Sequence, residues 1–323
     1  LEVRVLSENH EIILETRGLT KRFHTSDGRP LTACDSVSLA ARRGETLGIV
    51  GESGCGKSTF VKMLVQLEKP TAGAIYFKGK DIAGLTGEAA RQNRRHIQMV
   101  FQDPAVSFSP KMRVGDIITE PLVNFGRLPR KQRAEKAREL LAMVELDADF
   151  MQRYPHSMSG GQLQRVGIAR ALALNPEVLV CDEATSALDV SIQKKIVALL
   201  TRLQREKNIA MIFICHDMAL VQSLSHRLAV MYLGNIVETV GGGELCETAM
   251  HPYTQALLGS VFSLHMDCCK KIETIPGDPP SPLELPPGCP FAGRCEKCMP
   301  VCKAEKPRLK DVAPGHQVAC HLY

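Results

Sequence analysis

The stretch GESGCGKST, residues 51–59, constrains this chain more than any other. It follows TLGIV, an apolar run with the length of a buried strand. It precedes a segment that reads as a helix from Lys57 to about Glu68. A G-x-x-x-x-G-K-[ST] pattern between a strand and a helix is a phosphate loop. Its glycines let the backbone fold around an anion, with N–H groups pointing inward at the helix N-terminus. The expected cradle is Gly51, Ser53, Gly54, Cys55, Gly56, Lys57, Ser58 and Thr59. Lys57 supplies a point charge for the β- and γ-phosphates, and Ser58 a hydroxyl for Mg²⁺. Cys55 admits two readings. The helix N-terminus and Lys57 could lower its pKa and make it reactive, or it is simply a small residue that fits.

A second acidic element supports the loop. VLVCDE, residues 178–183, is an apolar strand that ends in two carboxylates. Asp182 is placed to join the Mg²⁺ shell, and Glu183 is the candidate base for an attacking water. Around these motifs the chain alternates. The first 80 residues suit an antiparallel sheet feeding into TLGIV, and residues 103–160 form a region of different character containing the amphipathic RKQRAEKARELLAMVEL. From residue 160 helix and strand alternate through QLQRVGIARALAL, EVLVCDE, IQKKIVALLTRLQRE, AMIFICHD and the strand LAVMYLGNIVE. After about residue 240 Gly and Pro become frequent, and GDPPSPLELPPG suits neither helix nor sheet. The expected division is 1–240 and 241–323, with 103–160 as a helical insertion.

SGGQ, residues 159–162, opens a further helix with a serine and two glycines, which makes a second anion-binding helix end. Two chains facing head to tail could each complete the other's site. Here the chain resembles the ATP-binding subunits of ABC transporters. That resemblance implies an α/β fold: a RecA-like phosphate-loop core, an antiparallel β subdomain and a helical subdomain, plus here a Cys-rich C-terminal extension. It implies ATP and Mg²⁺ as cofactors. Ser159, Gly160, Gly161 and Gln162 match the signature motif, and Gln102 matches the loop residue that senses the γ-phosphate and Mg²⁺ beside Ser58 and Asp182. Ser186-Ala187-Leu188-Asp189 matches the D-loop, and His216 the switch histidine. Phe23 is similar to the aromatic that stacks on adenine, its alternative being a core or hairpin aromatic. Met158 and Ala184 depart from the usual Leu and Pro at their positions. The catalytic set implied is Glu183, His216 and Gln102. DPAVSFSPKMRVGDIITEPLVNF, residues 103–125, is the expected surface for a membrane partner's coupling helix.

Composition narrows the class. An apolar fraction of 44% supports a sizeable core, and a net charge of +5 is too weak to argue for nucleic acid. No apolar run approaches the ~18 residues of a membrane-spanning helix. The opening LEVRVLSENHEIILE has acidic residues and no apolar core, so it does not read as a secretory leader. The expected location is the cytoplasmic face of the membrane, reached through partners.

Twelve cysteines are many for a reducing compartment, where clusters point to metal rather than disulfides. Cys34, Cys181 and Cys215 sit in apolar runs as small core residues. YPHSMSGGQ, HPYTQALL and GCPFAGRC…VACHL resemble the oligopeptide/dipeptide group of importer ATPases, whose relatives include nickel importers. In that group the tail carries a [4Fe–4S] cluster, which the resemblance carries over onto Cys289, Cys295, Cys302 and Cys320. Four thiolates also suit Zn²⁺, and free thiols are the third reading. Cys298 is additional, and the adjacent Cys268 and Cys269 receive no role. The partners implied are a second, paralogous ATP-binding subunit, two transmembrane permease subunits and an extracytoplasmic solute-binding protein. Peptide is the expected cargo and a nickel or metal chelate the alternative. An exporter or a non-transport ATPase of this class stands further off.

Overall fold

A computed structural model describes residues 10–186, 188–259, 277–283 and 285–323. Ala187 of the D-loop and the Cys268–Cys269 pair lie outside the described residues. The chain opens with β1 (Ile12–His24), β2 (Pro30–Val37) and β3 (Ala40–Arg42), then β4 (Thr46–Val50), β5 (Ala72–Phe77) and β6 (Lys80–Asp81). All but β4 form an antiparallel sheet, ordered β2-β1-β5-β6 with β3 also on β1. The helix Lys57–Leu64 follows the phosphate loop. It stops short of the expected Glu68 because Gln66 turns to a φ of 57°.

The second sheet takes in β4 and the rest: β7 (Ile97–Val100), β8 (Val178–Asp182), β9 (Ala210–Ile214), β10 (Arg227–Tyr232), β11 (Asn235–Gly241), β12 (Lys310–Ala313) and β13 (His316–Val318). Its order is β12-β13-β11-β10-β4-β9-β8-β7. The five strands from β10 to β7 are parallel. Parallel strands are covered on both faces, so they read as unbroken apolar runs. In β8, Val178 and Val180 face the core under the antiparallel sheet, and Leu179 and Cys181 face the opposite core with the helices. β9 repeats this, with Ile212 on one side and Phe213 on the other. Cys34, Cys181 and Cys215 are buried core residues, as their runs predict.

LAVMYLGNIVE is not one strand but a hairpin. Leu233 and Gly234 both take positive φ, and β11 returns antiparallel to β10. That two-residue turn matches the strand twist, which is why it can be so short. The helices Val114–Asn124 and Arg133–Met143 form the inserted layer, packed against the long helix Gly160–Leu172. Among the described residues no helix is long and apolar enough to cross a membrane.

The tail returns to this sheet. β13 pairs with β11, and β12 with β13. Glu238 of β11 is fully buried, and its carboxylate accepts the backbone N–H groups of Met250 and His251 at 2.7 and 3.2 Å. His316 of β13 reaches the same carboxylate at 2.8 Å. One buried acid thus joins the core sheet, the HPY segment and the last strand pair.

His251 accepts the Tyr253 N–H on Nδ1 at 3.0 Å. Burial pushes its imidazole from 6.5 down to about 4, so it is neutral in the fold. Between those values the unfolded chain binds the proton and the folded chain does not. Stability present above pH 6.5 is therefore lost as pH falls toward 4. At full extent this residue accounts for about 3 kcal/mol. In chemical denaturation, wild type should lose about 2 kcal/mol more between pH 7 and pH 5 than His251→Gln does. Equal losses would mean that the imidazole accepts its proton in place.

Candidate active site

The phosphate loop leaves the buried strand β4 and enters the helix Lys57–Leu64. Its turn is set by neighbouring backbone. A Cβ on Gly51 would stand 2.1 Å from the Met231 carbonyl oxygen, and one on Gly56 would stand 2.1 Å from that of Ala33. Both residues also take positive φ, 153° and 106°. Only glycine meets both demands. The Lys57 ammonium is buried and donates to the carbonyls of Gly51 and Glu52 at 2.7 and 2.8 Å. Cys55 is buried as well, and burial raises its thiol against the pull of Lys57. The reactive-thiolate reading fails here, because desolvation outweighs the adjacent cation. Cys55 is the small residue that fits.

Ser58 donates its hydroxyl to Asp182 Oδ1 at 3.1 Å, which brings the loop and the end of β8 together. Burial lifts the Asp182 carboxyl above its ordinary value, opposed by the Ser58 hydroxyl and reinforced by Glu183. A divalent cation would reverse that shift, and hydroxyl and carboxylate oxygens are the hard donors Mg²⁺ takes. Glu183 sits at φ 48°, a left-handed conformation that is strained for a glutamate. Its N–H is held by the Ile214 carbonyl at 3.1 Å, and its carboxylate meets His216 Nε2 in an ion-pair contact. The Ser186 hydroxyl donates to the Glu183 carbonyl at 3.0 Å, and Gln102 Nε2 donates to that hydroxyl at 3.3 Å. The structure therefore brings Gln102, Ser186, Glu183 and His216 into one connected line beside Ser58 and Asp182.

The signature residues stand elsewhere. Ser159 caps the helix Gly160–Leu172 in a reciprocal capping box with Gln162, and Ser159 and Gly160 are exposed. Gly161 lets this helix end settle on Ile192, whose methyl would lie 2.6 Å from a Cβ there. Asp189 accepts the Ile192 N–H at 3.1 Å and caps the helix Val190–Lys207. Phe23 is half-buried near the end of β1, with the Lys21 ammonium 4.7 Å above its ring. A groove of about 240 Å³ runs beside Phe101 and Pro104, lined also by Leu67, Phe108, Pro121 and Ala171. It includes part of the 103–125 stretch. Leu67, Phe101 and Val106 are exposed large apolar residues of this region.

The tail cysteines share one lobe. The Cys289 N–H donates to the Cys302 carbonyl at 2.7 Å, and the Cys298 N–H to the Cys295 carbonyl at 3.2 Å. Burial raises the Cys289 thiol to about 11, and the nearby thiols of Cys302, Cys320 and Cys295 add to the rise. Among the described residues, however, no three His, Cys, Asp or Glu side chains are grouped closely enough to hold a metal ion. The lobe instead reaches the phosphate loop. Arg294 pairs with both Glu52 oxygens at 2.8 and 3.2 Å, and the Tyr253 hydroxyl accepts the Glu52 N–H at 2.9 Å. Sequence reasoning passed over Glu52, Tyr253 and Arg294. The latter two lie in stretches that stood out only for their resemblance.

A phosphate loop pinned between an antiparallel sheet and a parallel core, with an inserted helical layer and a second glycine-capped helix, defines an ATP-binding cassette. Residues 34–186 match the family model of the ABC transporter, and residues 237–302 that of the oligopeptide/dipeptide transporter C-terminal region. The chain is 48% identical to the oligopeptide transport ATP-binding protein AppF of Bacillus subtilis, over 98% of each chain. The solved ATP-binding cassette MJ0796, a dimer bound to ADP and Pi, superposes with a TM-score of 0.66 at 31% identity, covering 71% of this chain and 98% of that one. The cassette cbiO1 of Clostridium perfringens, part of the ABC transporter complex cbiONQ, superposes at 0.64 with 29% identity, over 72% and 90%. The chain belongs to the oligopeptide-transport ATP-binding proteins of the ABC transporter family.

Gly56→Ala should weaken MgATP binding at least about tenfold and cost about 2 kcal/mol or more in stability, since the new methyl meets backbone rather than a movable side chain. Titration calorimetry and thermal melts would measure both. Unchanged affinity would mean that the loop can retreat from Ala33.

Proposed function

We propose that this protein hydrolyses ATP to drive peptide import, working at the cytoplasmic face of the membrane as one of two cassettes in a transporter. The observation that carries this reading is the pairing of Ser58 with Asp182 and of Glu183 with His216 in a chain so similar to an oligopeptide transport ATP-binding protein. The relative's name supports peptide as the cargo over a nickel chelate.

In this reading Lys57 and the loop N–H groups grip the phosphates. Ser58, Asp182 and Gln102 hold Mg²⁺, which when bound spreads the charge that builds up in phosphoryl transfer. Glu183 orients the attacking water and receives its proton, while His216 fixes the carboxylate and senses the γ-phosphate. Phe23 offers its open face to adenine. Ser159, Gly160, Gly161 and Gln162 serve the nucleotide of a facing cassette, with Asp189 at the same seam. The exposure of Ser159, Gly160 and Asp189 supports a role across a head-to-tail dimer with a paralogous subunit. The groove at Leu67 and Phe101 takes a short helix of the permease pair, which a solute-binding protein supplies with peptide. Binding of ATP then favours the closed dimer, and hydrolysis releases it.

The division at about residue 240 separates this cassette from an extension whose four thiols, Cys289, Cys295, Cys302 and Cys320, we assign to a [4Fe–4S] cluster. Their shared lobe and mutual influence support a common ligand. The cluster would be structural, clipping a tail with little core of its own.

Two measurements test the reading. Glu183→Gln should retain MgATP and lose turnover by about 10²–10⁴-fold in the reconstituted transporter; near-normal hydrolysis would remove Glu183 from the base role. Anaerobically purified protein should show a broad band near ~400 nm with about four irons and four sulfides per chain. One zinc and no iron would leave the ATPase intact and replace the cluster.

A further inference from the structure

Glu52 is the second residue of the phosphate loop, and it is held by three groups at once. Its N–H donates to the Tyr253 hydroxyl at 2.9 Å, its carbonyl accepts Lys57 Nζ at 2.8 Å, and its carboxylate receives Arg294 in two hydrogen bonds. Two of these three partners come from beyond the cassette proper. Tyr253 is completely buried, and Arg294 is more than nine-tenths buried.

The partners are themselves rigid. The Arg294 Nη1 also reaches the Tyr232 hydroxyl at 3.3 Å, and Tyr232, Tyr253 and Phe291 pack tilted and edge-on into one aromatic cluster with centroids 4.5–5.4 Å apart. Arg294 leaves a tight turn in which its N–H donates to the Phe291 carbonyl and the Ala292 N–H to that of Cys289. A planar guanidinium on a carboxylate fixes orientation as well as charge.

The charge matters because of where it lies. A carboxylate one residue into a loop that must receive a polyphosphate opposes binding unless it is neutralised. We propose that Arg294 and Tyr253 of the tail are positioning residues for ATP binding: Arg294 neutralises Glu52 and turns its carboxylate away from the phosphates, and Tyr253 fixes the Glu52 peptide so that its carbonyl meets Lys57. The proposal rests on the ATP-binding reading and adds that the loop is incomplete without the tail.

The test is a double-mutant cycle on the full-length chain, with MgATP affinity read by calorimetry. Arg294→Met keeps the aliphatic stem against Tyr232 but orphans Glu52, and should weaken MgATP binding about tenfold. Glu52→Gln alone should bind within about threefold of wild type, and adding it to Arg294→Met should restore affinity to that range. A merely structural arginine would not be rescued by neutralising its partner. In the transporter, Arg294→Met should raise KM for ATP and leave kcat near wild type. Tyr253→Phe removes only a hydroxyl and should weaken binding a few-fold, with the fold intact in thermal melts. Wild-type affinity in Arg294→Met, or no rescue by Glu52→Gln, overturns the proposal. Wild type binding no more tightly than Lys57→Ala would overturn the ATP-binding reading beneath it.

Discussion

Two backbone carbonyls shape the phosphate loop, and much of the molecule exists to hold them there. Met231 O backs Gly51 and Ala33 O backs Gly56, each so close that no side chain fits between. Met231 belongs to a parallel core strand and Ala33 to the antiparallel sheet, so the loop is a wedge between two sheets. The Leu233–Gly234 turn locks the wedge. Gly234 donates its N–H to the Cys55 carbonyl at 2.8 Å and accepts the Asp35 N–H at 2.8 Å. A loop of successive N–H groups binds anions only if its curvature is fixed before the anion arrives. Here that curvature is a property of the tertiary fold, not of the nine residues alone.

The same economy governs the acidic side of the site. β8 ends in a buried Asp182, and the chain must then reverse to present Glu183 toward His216. Glu183 does so by taking a left-handed conformation, which its N–H bond to Ile214 and its carbonyl bond from Ser186 hold in place. Strain of this kind persists only where neighbours over-determine it. Those neighbours include Ser186, next in line to Gln102, so a shift at Gln102 has a short hydrogen-bonded route to the Glu183 backbone.

Local patterns made much of this legible in the sequence. TLGIV, VLVCD and AMIFI are buried on both faces and read as unbroken apolar strands, and the loop motif between strand and helix left little choice of fold. Ser159, read at the start of SGGQ as opening a helix, is its N-cap. What stayed hidden depended on distance in the chain. The hairpin within LAVMYLGNIVE was masked because Leu233, an apolar residue, takes the left-handed turn position. β12 and β13 are short strands that acquire a partner only when β11 is beside them. Arg294 and Glu52 lie 242 residues apart, and no periodicity or spacing marks their pairing.

Seen by charge rather than by sequence, the tail and the cassette are one construction. Glu238 and Glu52 are acids in places where an acid is costly, the first fully buried and the second beside a phosphate site. Each is satisfied by the returning chain: the Glu238 carboxylate by two backbone N–H groups and His316, the Glu52 carboxylate by Arg294, while the Tyr253 hydroxyl accepts the Glu52 N–H. Removing a partner of the fully buried Glu238 leaves a charge with no water to replace it, and removing Arg294 leaves the half-buried Glu52 charge unneutralised beside the loop. The cassette core therefore holds two carboxylates that call for the extension, and the extension has β11 as its sheet edge and Tyr232 as its aromatic support. Each half supplies what the other leaves unsatisfied. That reciprocity explains why a cysteine-bearing lobe more than 200 residues from the phosphate loop in sequence folds directly against it.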